Sequence, residues 1–183
     1  MRKVLSLWVL VMVLCVVGKL FADTDLFTIT CTPTGSRGVL IGTTTVAFGN
    51  MLPGASSTTA AIPMTSTGTV ANIGYQLSAA VGSASGIAAT MSSDETPTAD
   101  ELVLQAQFND TTPTFAAEDI IDSGTPANVV EGGAYDGDQD LSNMPLSEER
   151  DLWCKVSFPS GAINFTQEQT ITVTVTATED SWN

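Results

Sequence analysis

Asp136, Asp138 and Asp140 stand at alternate positions in "AYDGDQDL" (134–141), with Gly137 between the first two. Of all residues in the chain, these come nearest by type and spacing to a chemistry. Alternate carboxylates around a glycine turn can begin a calcium site, because calcium takes about six to eight oxygen ligands from flexible loops. The EF-hand pattern is not met. Counted from Asp136, the sixth position is Leu141 rather than glycine and the twelfth is Ser147 rather than glutamate. Three carboxylates leave the shell incomplete, to be filled by Asn143 and backbone carbonyls. Two expectations therefore stand side by side. One is a structural calcium loop held by Asp136, Asp138 and Asp140, and the other is a solvated acidic hairpin feeding the strand that follows.

Other reactive chemistry is narrowed by what the chain lacks. It contains no histidine, which excludes a Ser-His-Asp triad, a His-activated cysteine and the usual imidazole sites for zinc and copper. No GxxxxGK[ST] loop and no glycine fingerprint after a strand is present. Carboxylate chemistry survives, as in glycoside hydrolysis, but the acids of "SSDETPTADE" (92–101) and "SEERD" (147–151) lie in loops with no pair singled out. Two aromatics, Trp153 and Tyr135, are candidates for a contact surface. Trp153 points away from Leu152 and Cys154 by alternation, as a platform for sugar stacking or a subunit contact, or else packed beneath a loop. "NDT" (109–111) and "NFT" (164–166) match glycosylation acceptors, a pattern too short to carry weight.

The elements that must position these residues begin with an export signal. Arg2 and Lys3 precede the apolar run "VLSLWVLVMVLCVV" (4–17) and "GKLFAD", the layout of a Sec signal peptide cleaved after Ala22. The run is shorter than the roughly 20 residues of a membrane-spanning helix, so no stable span is expected after cleavage. Residues 23–183 suit a single domain. They keep Arg37, Arg150 and Lys155 against all 20 acids, a net charge of about −17 by difference. Nucleic acid is a poor partner for such a chain.

Strands follow from period-two alternation. "FTITCTP" (27–33) sets Phe27, Ile29 and Cys31 against threonines. "ELVLQAQFN" (101–109) sets Leu102, Leu104, Ala106 and Phe108 against Val103, Gln105 and Gln107. "LWCKVSF" (152–158) sets Leu152, Cys154, Val156 and Phe158 against Trp153, Lys155 and Ser157. "TITVTVTAT" (170–178) sets Ile171, Val173, Val175 and Ala177 inward and threonines outward. Gly, Pro, Asn and Ser cluster between the runs as turn signals. "AAEDIID" (116–122) has room for a turn or two of helix, while 84–100 and 110–133 read as long surface loops. The expected fold is all-β, an antiparallel sandwich of about eight or nine strands.

Cys31 and Cys154 are the cysteines left after cleavage, each on the apolar side of its strand. In an oxidising compartment they are expected to pair, closing a long loop worth about 4–5 kcal/mol by chain entropy. The competing reading is two small buried hydrophobes that never meet.

"TTTVAFGNMLPGASSTTAAIPMTSTGTVANIGYQLSA" (43–79) resembles the opening of bacterial Ig-like β-sandwich modules, with their "FG" and "PG" turns between strands. "DGDQDLSNMPLSEERDLWCKVSFPSG" (136–161) and "QTITVTVTA" (169–177) look like the closing half of such a module. The chain resembles secreted bacterial Ig-like surface proteins, and more remotely spore coat U and pilin-like sandwiches. The resemblance rests on turn grammar and covers most of residues 23–183. It implies an Ig-like sandwich with an architectural role and no active site, and it does not support the Cys31–Cys154 bridge.

Three function classes remain. The first is an acidic structural protein of the cell surface, a coat, matrix or filament subunit that self-assembles through edge strands. The second is an extracellular binding module or adhesin recognising carbohydrate or protein through Trp153 and Tyr135. The third is a carboxylate-dependent hydrolase. The expected location is secreted or cell-surface, with the periplasm as the alternative. No sorting signal or apolar tail follows "ATEDSWN" (177–183), so retention at the surface would be noncovalent.

Overall fold

The structure, a computed structural model, describes residues 35–70, 73–83, 88–121, 124–129, 131–139, 144–161 and 168–179. The expected strand at 27–33 and the expected signal peptide lie outside these residues. Nine strands are described: β1 (Arg37–Ile41), β2 (Ser56–Thr58), β3 (Ile62–Gly68), β4 (Ile73–Ser83), β5 (Thr90–Met91), β6 (Glu101–Phe108), β7 (Ala127–Asn128), β8 (Glu149–Ser157) and β9 (Gln169–Glu179). They form two sheets, a sandwich-like arrangement. One runs β1-β3-β8-β6-β5 with β2 also on β8, and the other runs β7-β4-β9.

Pairing is antiparallel throughout except at β5–β6, where two residues pair parallel. β2 and β3 share one edge of β8. Ser56–Thr58 covers Lys155–Ser157, and Ile62–Thr65 covers Glu149–Leu152. The break between them is closed by Thr59, which is buried. Its amide donates to the Cys154 carbonyl at 2.8 Å and its hydroxyl accepts the Cys154 amide at 3.0 Å. A ladder interrupted for three residues thus leaves neither backbone group of Cys154 unpaired.

The core lies between the inward rows of β6 and β8, which alternation predicts, and a row of β4, which it does not single out. Tyr75, Leu77 and Ala79 of β4 meet Leu104, Ala106 and Phe108 of β6 and Leu152, Cys154 and Val156 of β8. Tyr75 stacks on Phe108, with ring centroids 6.2 Å apart. Each such large side chain contributes roughly 1.5–3 kcal/mol on burial. The inward row of β9, Ile171, Val173, Val175 and Ala177, is only half-buried.

The outward row of β6 departs from expectation. Val103 and Gln105 are 1% and 2% exposed, so this strand is buried on both faces. The chain after Phe108 folds back beside and over it. Ile120 bridges Gln105, the Ile121 amide donates to the Leu104 carbonyl at 2.9 Å, and the Gln105 side-chain amide donates to the Ala116 carbonyl at 2.8 Å. The stretch expected to make a turn or two of helix makes one 3-10 turn, Ala117–Asp119. Among the described residues no helix is long and apolar enough to cross a membrane.

Candidate functional site

The acidic loop lies across the end of the β6–β8 pair, just beyond Phe108↔Leu152. Tyr135, at φ 64°, turns the chain there. Its carbonyl accepts the Phe108 amide at 3.1 Å and its hydroxyl donates to the Ile120 carbonyl at 3.1 Å. Gln107 donates its side-chain amide to the Asp136 carbonyl at 3.1 Å. Gly137 then passes so close to β6 that a Cβ would sit 2.1 Å from the Phe108 carbonyl oxygen and 2.0 Å from Asn109 Oδ1. The glycine is required here for close approach, at a point where the sequence suggested only a sharp turn.

The carboxylates of this loop hold backbone amides. Asp136 Oδ2 accepts the Gly132 amide, and Asp138 Oδ1 accepts the Asp110 amide at 2.8 Å. In return the Asp138 amide donates to Asn109 Oδ1 at 2.6 Å. Gln139 adds two more ties, donating to Asp110 Oδ1 and accepting the Asp151 amide at 2.7 Å. Side chains of aspartate, asparagine and glutamine capture nearby amides readily, and here they fasten one loop to another. Asp140, the third expected calcium ligand, lies outside the described residues. Among those described, no group of three or more histidine, cysteine, aspartate or glutamate side chains is placed to hold a metal ion.

The two candidate aromatics separate. Tyr135 is 4% exposed and belongs to the core cluster, so the expectation of a loop aromatic open to a ligand is corrected. The ring packs into the core and its hydroxyl reaches the Ile120 carbonyl, from a backbone of left-handed φ. Trp153 is half-buried on the outer face of β8, and its indole N–H donates to the Asn109 carbonyl at 2.8 Å. Both rings brace the same loop cluster.

Beside this cluster lies a buried acid that sequence reasoning missed. Asp119 is 1% exposed. Its Oδ2 accepts the Ala116 amide at 2.7 Å and sits 3.5 Å from Gln107 Nε2, while Oδ1 is buried with no hydrogen-bond partner. Burial pushes its carboxyl above the usual aspartate range, against the opposing pull of the Ala116 amide. The available signal was an acid at the third position of a helical turn, where it can reach back to the first amide. Nearby, Lys155 Nζ donates to Gln105 Oε1 at 3.1 Å and lies 5.7 Å from the centre of the Phe115 ring.

Cys154 is a buried free thiol, and desolvation raises its pKa to about 12. As a thiol it is protonated at neutral pH. Cys31, its expected partner, lies outside the described residues. Among the described residues the arrangement thus presents braced loops and a buried acid, without a nucleophile beside a base. No protein-family model matches the chain, and a search of curated proteins likewise found no match.

Proposed function

We propose that this is an exported acidic structural protein of the cell surface, a coat, matrix or filament subunit built on an Ig-like sandwich and without catalytic activity. One observation carries the reading. The polar groups that the sequence offers as a site, those of Asp136, Asp138, Asn109 and Gln139, are spent on fastening loops to each other and to the β6–β8 pair. A protein whose task is to keep its shape under load benefits from loops tied in this way. The export signal at residues 1–22 and the strong acidity agree with a soluble secreted subunit. A Cys31–Cys154 bridge belongs to this proposal as an oxidised-state feature of the exported chain. The alternative of a carbohydrate or protein binder gains little, because Tyr135 is buried and the indole N–H of Trp153 is committed to Asn109.

The test is sedimentation of the exported protein over a concentration series, first in calcium and then in chelator. Growth into large ordered species is the expected outcome. A dependence of that growth on calcium would return Asp136, Asp138 and Asp140 to the role of a structural metal loop. A monomer under every condition would overturn the reading in favour of a binding module.

A further inference from the structure

Asp119 sits one residue inside the surface. Ala117 and Glu118 before it are exposed, while Asp119 itself is buried. The 3-10 turn that carries it is pinned at both ends. Gln105 donates its side-chain amide to the Ala116 carbonyl at 2.8 Å, and the Ile121 amide donates to the Leu104 carbonyl at 2.9 Å. Between these pins the turn is loosely made. Its own backbone bonds, from the Asp119 amide to Ala116 and from the Ile120 amide to Ala117, span 3.2 and 3.3 Å.

The carboxyl joins this turn to the acidic loop across β6. Oδ2 accepts the Ala116 amide at 2.7 Å and stands 3.5 Å from Gln107 Nε2, which also donates to the Asp136 carbonyl at 3.1 Å. From the same loop the Tyr135 hydroxyl reaches the Ile120 carbonyl at 3.1 Å. Oδ1 is left without a hydrogen-bond partner. As a neutral acid the group is a buried polar side chain with one oxygen idle. As an anion it is a buried charge short of partners, and such a charge is expensive.

Nothing charged nearby offsets that cost. On the turn itself Glu118 is of like sign. Strand β6 presents the neutral Gln105 and Gln107. The acidic loop presents the Tyr135 amide, a phenol already given to Ile120, and Asp136, whose carboxylate is turned to the Gly132 amide. On β8, Lys155 donates to Gln105 beside the Phe115 ring. Among the described residues the ion pairs are Arg37–Glu179 and Arg150–Glu148, and neither includes Asp119.

We propose that Asp119 is a pH-operated clasp: protonated, it keeps the 116–121 turn closed on β6 and on the acidic loop, and ionised, it swings out to water between the two pins. The movement needed is short, because the exposed Glu118 is its neighbour. It takes the Ile120 carbonyl away from the Tyr135 hydroxyl and leaves Gln107 to the acidic loop alone, so one proton sets how that loop is held. Burial raises the carboxyl above the usual aspartate range. The clasp is therefore closed in acid and opens as pH rises through the folded-state value. It does not depend on the assembly reading.

Trp153 is the reporter. It stands opposite Gln107 across the β6–β8 pair, on the same face, with its indole N–H on the Asn109 carbonyl. Trp182→Phe leaves it the single tryptophan of residues 23–183. Fluorescence of that protein, titrated from acid to neutral pH, is expected to show a one-proton transition with its midpoint above 3.8. Added Asp119→Asn is expected to abolish the transition. At neutral pH it should also slow amide exchange at Ala116 and Ile120 at least tenfold. Glu118→Gln, at an exposed position, removes the like charge and is expected to move the midpoint to lower pH. The same transition in Asp119→Asn would overturn the proposal, as would a flat titration with equal exchange in both proteins. Should Asp119→Asn fail to fold, Glu118→Gln decides alone, and an unmoved midpoint overturns the clasp.

Discussion

Asp119 shows how one residue changes character when the chain folds. As a sequence element it is one acid among 20, but the fold buries it and leaves one oxygen without a partner. Its carboxyl is raised above the value it has in the unfolded chain. The folded state then holds the proton more tightly, so the group stabilises the fold when protonated. That contribution is lost as pH rises from the unfolded-state value near 3.8 through the folded value. Compared with Asp119→Asn, the wild-type protein should therefore gain relative stability on acidification and lose it toward neutrality. Urea unfolding of both proteins from acid to neutral pH would read this. A wild type that loses ground on acidification would mean that the carboxylate is favoured as an anion. Cys154 carries no comparable pH dependence near neutrality, because its burial moves the thiol further from ionisation.

At the scale of elements, the loop containing "YDGDQ" (135–139) is stitched to the ends of β6 and β8. Gly137 is the point of closest approach, with the Phe108 carbonyl and Asn109 Oδ1 where a methyl group would be. Gly137→Ala is expected to push the loop off the strand and cost about 1–3 kcal/mol, the usual penalty of overpacking. Chemical denaturation would show it, together with faster exchange at the Asp138 and Asp151 amides. An unchanged stability would mean that the loop stands off from β6. The strands expected at 101–109, 152–158 and 170–178 are borne out as β6, β8 and β9, with ends shifted by a few residues at most. Period-two alternation found them because each has one continuous apolar row. β1 to β4 were not singled out by alternation, and the short β5 and β7 carry no period in two residues. The burial of Val103 and Gln105 escaped notice too, since a chain folding back across a strand leaves no mark in that strand's own pattern.

The whole molecule is strongly acidic, and β9 is a long strand without charge from Thr170 to Thr178. The proposed self-association would work against the net charge of −14 and draw on apolar contact and backbone pairing. Salt shortens the screening distance from about 8 Å at 0.15 M to about 3 Å at 1 M. Raising sodium chloride over that range is therefore expected to strengthen association, as read by light scattering at fixed protein concentration. Association that weakens with salt would point to ion pairs as the glue and count against an uncharged interface.

Composition and alternation by themselves determined that the fold is nearly all-β, that histidine-dependent chemistry is absent, and which rows of β6, β8 and β9 face inward. These follow from local rules, because side-chain direction in a strand depends only on parity. What Asp136 and Asp138 hold, where Tyr135 points and why Gly137 is a glycine were decided only by tertiary structure. Each depends on a group brought from far along the chain: Asp110, Ile120 and Phe108. The same holds for the place of β9. Its alternation was legible in the sequence, but that β4 pairs with it over all eleven residues was decided only by the assembled sheet.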